Sequence, residues 1–471
     1  MNKFAVLVVW SLVLLPVATL AATAAEDRPP NFIVIFVDDM GYGDLGCFGS
    51  KVHRTPRLDQ MASEGMMLTD FYSTCSVCTP SRASLLTGCY PRRVNMHVNE
   101  DNLCVLFPGA KKGLHPDEVT VAEIVKQQNY STMCIGKWHL GDHPDFLPTK
   151  QGFDRYFGIP YSNDMGSAVR NRNYPELPLL RETNVIEAPV EQSTITRRYT
   201  EEAVRFIAEN KDRPFLLYLP HTAVHLPLFP GDSFRGKSKD GPYGDWVEEV
   251  DWSTGEILDA LKSHGIDEKT LVVFTTDNGS AREKAGSNLP LRGRKGRTDE
   301  GGMRVPCIAR WPSKIPAGRK CGEVTATIDL LPTIAQLAGA DLPGGRIIDG
   351  RDIWPLLSGN LGAKSPHDAF LYYQMDQLQA VRSGDWKLFI PMDQKKRNWG
   401  KPEGRSEMKL FNLAVDIHED DNVAADQPDV VARLLALAEG AREDLGDVDR
   451  PGKNQRPAGY VEVGQHLLLH P

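Results

Sequence analysis

Four short polar clusters in the chain have residue types that can do chemistry together. Asp38-Asp39 and Asp277-Asn278 offer oxygen ligands. Three carboxylates packed together repel one another unless a cation lies between them. Hard oxygen donors without clustered His or Cys point to Ca²⁺ or Mg²⁺ more than to Zn²⁺. Alone, either segment reads as a strand-end turn, because Asp-Asn-Gly is a strong turn signal. Alongside the other clusters, the metal reading is the better one.

Cys78-Thr79-Pro80-Ser81-Arg82 is the most informative pentapeptide. Pro80 suits the first position of a helix that Gly88 stops. Cys78 then sits at a helix amino terminus, where free N–H groups attract anions and lower a thiol's pKa. Arg82, one turn on, can reach back toward the same spot. Taken alone, the motif is explained equally well by a capped helix with a buried Cys, or by a redox pair of Cys75 with Cys78.

Lys137 and His139 are one residue apart and can point to one side of a strand end. Lys supplies charge for an anionic substrate, and His supplies a titratable group for proton transfer. His221 and His225 follow another apolar run. At most one of them need be catalytic, and His221 can simply brace the loop. Leu291-Arg-Gly-Arg-Lys-Gly-Arg297 is a glycine-spaced basic cluster, a pattern usually found on solvated surface. It follows Asp277-Asn278 closely enough to fold over them and bring a Lys to an anion.

These clusters need a scaffold, and the apolar runs before them supply one. Asn31 to Val37, Ser131 to Ile135, Arg213 to Leu219 and Thr270 to Thr275 are continuous apolar runs that stop abruptly at polar residues. Such runs fit strands buried on both faces of a parallel sheet. Between them, Val119 to Gln128, Thr196 to Asn210 and Trp246 to His264 read as helices. Alternating strands and helices predict a doubly wound α/β sheet, whose ligands gather at the carboxyl ends of the strands. All four clusters fall there.

From about Asp368 the pattern changes. Ala369 to Tyr373, Gln379 to Val381, Trp386 to Ile390 and Met408 to Leu413 predict a small antiparallel sheet, and Pro428 to Leu445 a terminal helix. Asp393 to Glu407 is polar and basic and reads as a loop. The expected organisation is a signal peptide at 1–25, a catalytic domain at 26–367 and a smaller α+β subdomain at 368–471.

The whole chain has 471 residues, 41% hydrophobic and 25% charged, with a net charge of −8. Those proportions exclude wholesale disorder and fibrous repeats, and the acidic balance disfavours a nucleic-acid partner. Lys3, the apolar run from Phe4 to Val17 and Ala22-Thr23-Ala24 form a secretory signal, so an exported protein, periplasmic or secreted, without a stable membrane anchor is expected. The eight cysteines show no zinc-finger spacing. If Cys78 is set apart, seven remain and at least one thiol stays free.

Taken together, these residues resemble the type I, formylglycine-dependent sulfatases, in particular the arylsulfatase A-like group. The hallmark Cys-x-Pro-Ser-Arg stands at Cys78 to Arg82, followed by Ala83-Ser-Leu-Leu-Thr-Gly88. Asp38-Asp39-Met-Gly-Tyr-Gly-Asp44, Gly136-Lys-Trp-His-Leu-Gly141, Phe153 to Asp164 and Asp277-Asn-Gly279 also match in order. The likeness runs from about Asn31 to Leu357. It implies an alkaline phosphatase-like fold and hydrolysis of aryl or carbohydrate sulfate esters. Cys78 would be converted to formylglycine by a formylglycine-generating enzyme. One oxygen of the hydrated aldehyde attacks sulfur, an alcohol leaves, and the second oxygen then expels sulfate.

The resemblance further implies that Asp38, Asp39, Asp277 and Asn278, with the modified Cys78, hold a divalent metal, usually Ca²⁺ with Mg²⁺ as the alternative. Arg82 and Lys137 would hold the nucleophile, and His139 would be the base for sulfate expulsion. His225 would assist the leaving oxygen, while Lys295 and Ser162 would contact the sulfate. Two positions depart from the pattern. Cys89 stands where many relatives have Arg, and Ile417 replaces Pro in Leu413-Ala-Val-Asp-Ile-His-Glu-Asp-Asp-Asn422, which puts the turn there in doubt. Two rival functions are a phosphodiesterase or phosphonate monoester hydrolase of the same superfamily, and a non-catalytic sulfoglycan-binding protein.

Overall fold

The computed structural model describes residues 28–170, 173–281, 286–448 and 450–469, and positions 1, 3 and 5. Apart from those three positions, the expected signal segment 1–25 lies outside the described residues. Among the described residues, no helix is long and apolar enough to cross a membrane.

The Asn31–Val37 strand is buried along its whole length because it lies in the middle of a ten-stranded sheet. Parallel neighbours Phe215–Pro220 and Thr270–Thr276 flank it, and Ser131–Ile135 pairs parallel with the former. Alternate side chains serve opposite layers, as the period of two requires. Ile33, Ile35 and Val37 join a core with Tyr199, Phe206, Val250 and Leu258, from the helices Ile195–Asn210 and Gly241–Ser263. Phe32, Val34 and Phe36 join a core with Leu85, Ile124 and Leu331, from Cys78–Thr87, Val121–Lys126 and Leu330–Ala338. Helices on both faces make the sheet doubly wound, and antiparallel pairs begin where it runs out to either edge. The class is α/β, a mostly parallel sheet of the alkaline phosphatase-like kind with a small antiparallel sheet beside it.

Strand ends match the sequence reading to within two residues, but one helix start does not and another moves its proline inward. Gly241-Pro242 opens its helix five residues before the expected Trp246, because Pro is as much at home in a helix's first turn as in the loop it suggests. Conversely, the Cys78–Thr87 helix begins ahead of Pro80, which takes the third helical position rather than the first. Thr120 caps Val121–Lys126 by accepting from Glu123 N, and the Glu123 carboxylate returns to Thr120 N.

The smaller sheet orders Phe370–Gln374, Gln377–Ser383, Trp386–Phe389 and Lys409–Asn412 as an antiparallel meander. The Pro428–Leu445 helix covers it with Leu434, Ala438 and Leu445. Between its last two strands the basic segment leaves the sheet and returns, bridged at Met392–Ser406 and Lys395–Glu403. The turn at 413–422 forms despite Ile417. Asp416 accepts from Asp420 N and Asp421 N, and Asn422 accepts from Leu410 N.

Candidate active site

Hydrogen bonds between loops lock the four strand ends together. Asp277 N donates to Val37 O at 3.0 Å, Asp38 N to Ala223 O at 2.8 Å, and Lys137 N to Pro220 O at 2.8 Å. The last contact requires glycine at 136, where φ is 133° and a Cβ would lie 1.9 Å from Pro220 O. Asp39 and His139 take left-handed backbone at φ 60° and 61°. Non-glycine residues rarely adopt that conformation, and it is concentrated at functional sites.

Three carboxylates and three side-chain cations meet in this place. Arg82 pairs with Asp277 at 2.8 Å and lies 3.4 Å from Asp38, while its other terminal nitrogen donates to Lys137 O. Lys137 Nζ donates to Asp38 and, at 3.2 Å, to Ser162 Oγ. Lys295 Nζ is 2.6 Å from Asp39 Oδ1, which also accepts from Asn278 Nδ2 at 2.7 Å. The basic cluster thus folds over the metal strand and brings a lysine to an anion, as expected.

Burial opposes ionisation of Asp38, but Lys137, then His225 and Arg82, hold its carboxyl well below the usual range. Burial and the Asp38 charge push Asp277 the other way, up to about 7.

The three cations correct one expectation: charge balance alone does not call for a metal here. The oxygen atoms left over support one instead. Asp38 Oδ1 and Asn278 Oδ1 are buried without a hydrogen-bond donor. Buried oxygens of that kind are costly unless something positive faces them. Asp38, Asp39 and His225 also each offer a ligand atom within 4.8 Å of one another. The donors present therefore fit a hard divalent cation. Asp277, expected as a ligand, accepts from Arg82 at one oxygen and from Asp39 N at the other, and each oxygen keeps a second lone pair for a cation.

A second correction concerns Cys78. It is the first residue of its helix, yet its thiol pKa is raised, because burial outweighs the opposing charges of Lys137 and Lys295. The helix terminus does not make it a reactive thiolate. All eight cysteines are free, including Cys75, so no Cys75–Cys78 bridge exists.

The histidines separate by role. His139 Nε2 bonds Leu106 O at 3.0 Å while Nδ1 is buried without a partner. Burial, aided by Lys137 and Arg82, holds the ring well below its ordinary pKa, so it is neutral with a lone pair on Nδ1. His225 Nδ1 faces Asn163 Oδ1 at 3.0 Å and Leu226 O, which leaves Nε2 toward Asp39 at 3.8 Å. His221 is fully buried, beside Ser253 Oγ and Tyr199, and burial takes it down to about 3. It braces the loop.

Above the cluster opens a cavity of about 480 Å³. Asp39, His225 and Lys295 form its floor, whereas Cys78, Arg82, Lys137, His139 and Ser162 lie behind them. Asp164, Ala281 and the 395–403 segment contribute to its walls. Residues 99–115 are absent from the lining and supply the Leu106 carbonyl under His139 instead. Sequence reasoning missed Asn163, which orients His225, and three wall residues, Gln374, Asn398 and Trp399. The signals for Asn163 and the segment carrying Asn398 and Trp399 were present as a matched motif and a basic loop, without any indication of what they face.

A nucleophile candidate at a helix start, a ring of cations and an oxygen-rich metal pocket at the strand ends define an esterase site for tetrahedral anions. The sulfatase family model matches residues 30–340, and the N-sulphoglucosamine sulphohydrolase C-terminal model matches residues 295–434. The chain belongs to the sulfatase family and is a sulfuric ester hydrolase. Arylsulfatase A of Homo sapiens is 42% identical over 394 residues, covering 78% of this chain and 76% of that protein. N-acetylgalactosamine-6-sulfatase of Canis lupus familiaris is 40% identical over 395 residues, covering 80% and 75%. Among solved structures, PsFucS1 sulfatase from Pseudoalteromonas sp. superposes with a TM-score of 0.79 at 29% identity, over 88% of this chain and 90% of that one.

Proposed function

We propose that this sulfatase works through Cys78 as formylglycine, with a divalent cation, Ca²⁺ before Mg²⁺, held by Asp38, Asp39, Asp277, Asn278 and the modified Cys78. The observation that carries the reading is the pair of donorless oxygens, Asp38 Oδ1 and Asn278 Oδ1, inside a ring of three cations. Position 78, as formylglycine, would supply the nucleophilic oxygen for attack on sulfur, and the cation held by these residues would favour its ionised form.

The chain's own groups do the rest. Lys295 and Ser162 bind sulfate oxygens, and Arg82 and Lys137 offset the charge that gathers around the transferred group. Neutral His139 accepts a proton at Nδ1 when sulfate is expelled, its Nε2 proton being held on Leu106 O. His225, its Nδ1–H held by Asn163 Oδ1 and Leu226 O, presents Nε2 to the leaving alcohol oxygen and delivers a proton there in its imidazolium form, which burial disfavours. The walls above Lys295 receive the alcohol half, an aryl group or a carbohydrate. The chain is read as exported after removal of residues 1–25 and matured by a formylglycine-generating enzyme. Residues 26–367 form its catalytic domain and 368–471 its smaller subdomain.

Peptide mass spectrometry across Cys78, on protein made with that enzyme present, tests the modification. Cys78→Ala is expected to lower turnover by at least a thousandfold while the thermal midpoint holds. Full activity in that variant would sink the reading. Sulfate, phosphate and phosphonate esters of one phenol separate the sulfatase from its superfamily rivals. Affinity for sulfated glycans without turnover in modified protein would support the binding-protein alternative.

A further inference from the structure

The cavity wall facing Lys295 comes from the smaller sheet, and its residues have features the hydrolytic step does not use. Trp399 stands on Gly296, where an added Cβ would lie 2.6 Å from its ring, and Lys295 Nζ is 6.0 Å from the ring centroid. Even so, the indole is 53% exposed, the most exposed aromatic ring in the cavity lining. Below it two amides are nearly closed off from solvent. Gln374 Nε2 and Asn398 Oδ1 have no hydrogen-bond partner, at 1% and 6% residue exposure. An exposed flat ring beside two lining amides that each keep an unpaired polar atom fits a polyhydroxylated ring, whose C–H face lies on the indole while its hydroxyls pair with the amides as these turn toward the cavity.

Charge narrows the occupant further. Six cationic side chains and three carboxylates line the cavity. Glu403 is shared between Arg297 at 3.3 Å and Arg397 at 3.7 Å, and Lys396 is taken by Asp376. Arg294 is exposed and has no carboxylate within 4 Å among the described residues. Arg294 and Arg397 therefore hold more positive charge than one sulfate, already met by Lys295, accounts for.

We propose that Trp399, Gln374 and Asn398, with Arg294 and Arg397, form a subsite for the alcohol half of the substrate. The occupant is a pyranose ring bearing a second anionic group, either a carboxylate or another sulfate. This rests on the sulfatase reading above. The scissile sulfate enters toward Lys295, the sugar lies on Trp399, and the second anion meets the two guanidiniums.

The test uses the full chain with formylglycine confirmed at position 78. The probes are an aryl sulfate, a monosulfated neutral monosaccharide, a disulfated monosaccharide, and a sulfated disaccharide containing a uronic acid. For Trp399→Ala, the ratio of kcat/KM on saccharides to that on the aryl sulfate is expected to fall tenfold or more, chiefly through KM. For Arg294→Ala and Arg397→Ala the loss is confined to the two probes with a second anion, and its salt dependence weakens with it. A larger loss on one of these probes identifies which anion is read. Equal losses on every probe, or none, overturn the subsite while leaving the sulfatase reading intact. If the modified parent turns over no sulfate ester, that reading is what fails. Calorimetric binding of the disulfated sugar to Cys78→Ala, with and without Trp399→Ala, then decides the subsite: equal affinity with and without the indole overturns it.

Discussion

Two buried clusters in this molecule have the same charge inventory, and only one of them is built for chemistry. At the strand ends, Asp38, Asp39 and Asp277 meet Arg82, Lys137 and Lys295. Between the two sheets, Asp70, Glu300 and Glu419 meet Arg304, Arg382 and Lys387. In the second cluster every carboxylate oxygen has a donor or a cation against it, Glu419 Oε1 through its ion pair with Lys387 at 2.8 Å alone. Glu300 accepts from Tyr72, Tyr372 and Lys387, Glu419 accepts from Glu300 N and pairs with Lys387, and Asp70 takes both arginines. In the first, Asp38 Oδ1 and Asn278 Oδ1 are left over and a cavity opens above. Equal numbers of charges therefore do not distinguish a buttress from an active site. Spare lone pairs and access do.

The largest expected effect falls on the buttress. Glu300→Gln leaves Lys387 and Arg382 under-compensated in a dry setting, so unfolding in urea is expected to come about 3–5 kcal/mol sooner. A change below 1 kcal/mol would mean that the tyrosines and Glu419 suffice, and that the two clusters are less alike than their charges suggest. Next comes metal removal. Chelation is expected to abolish turnover and lower the thermal midpoint, with Ca²⁺ at a hundredfold over its dissociation constant returning about 2.7 kcal/mol. In Glu300→Gln the same increment should appear, because arginines and a lysine already face the buttress carboxylates. No response to chelation would erase the difference between the clusters.

Asp142 offers a smaller, sharper test, because it is a buried carboxylate without an ion pair among the described residues. Burial pushes it up to about 7, and Oδ2 accepts from Gly109 N. The folded chain thus holds a proton that the unfolded chain releases near pH 4. Stability falls by about 1.4 kcal/mol per pH unit between about 4 and 7 from this group, then levels off. Asp142→Asn should remove that slope, so its midpoint gains on the parent as pH rises from 4 to 7.5. Parallel midpoints across that range would show Asp142 to be ionised throughout.

The parts of this site legible in sequence were those fixed by local pattern. Mostly apolar runs that end at Asp38, Gly136, Pro220 and Asp277 are strands buried on both faces, and a parallel sheet collects their carboxyl ends. What closes over long separations was not legible. Arg82 meets Asp277 across 195 residues, and that pairing removed the argument that the carboxylates need a metal for balance. The thiol of Cys78 illustrates competing terms: a helix start lowers its pKa, burial raises it, and sequence reveals only the first. Trp399 and Asn398 sat in a segment legible only as a polar loop, since nothing local says that it folds back onto Gly296.

The 3% exposure of Cys78 also sets an order of events. Once Arg82 has closed on Asp277, the thiol is walled in by its own helix and by strands still unmade when residue 78 first appears. Any enzyme that edits this side chain must reach residues 78–82 before the fold closes over them. On the proposed modification of Cys78, folding is the clock: a variant that folds faster leaves less time for editing and yields more well-formed but inert molecules.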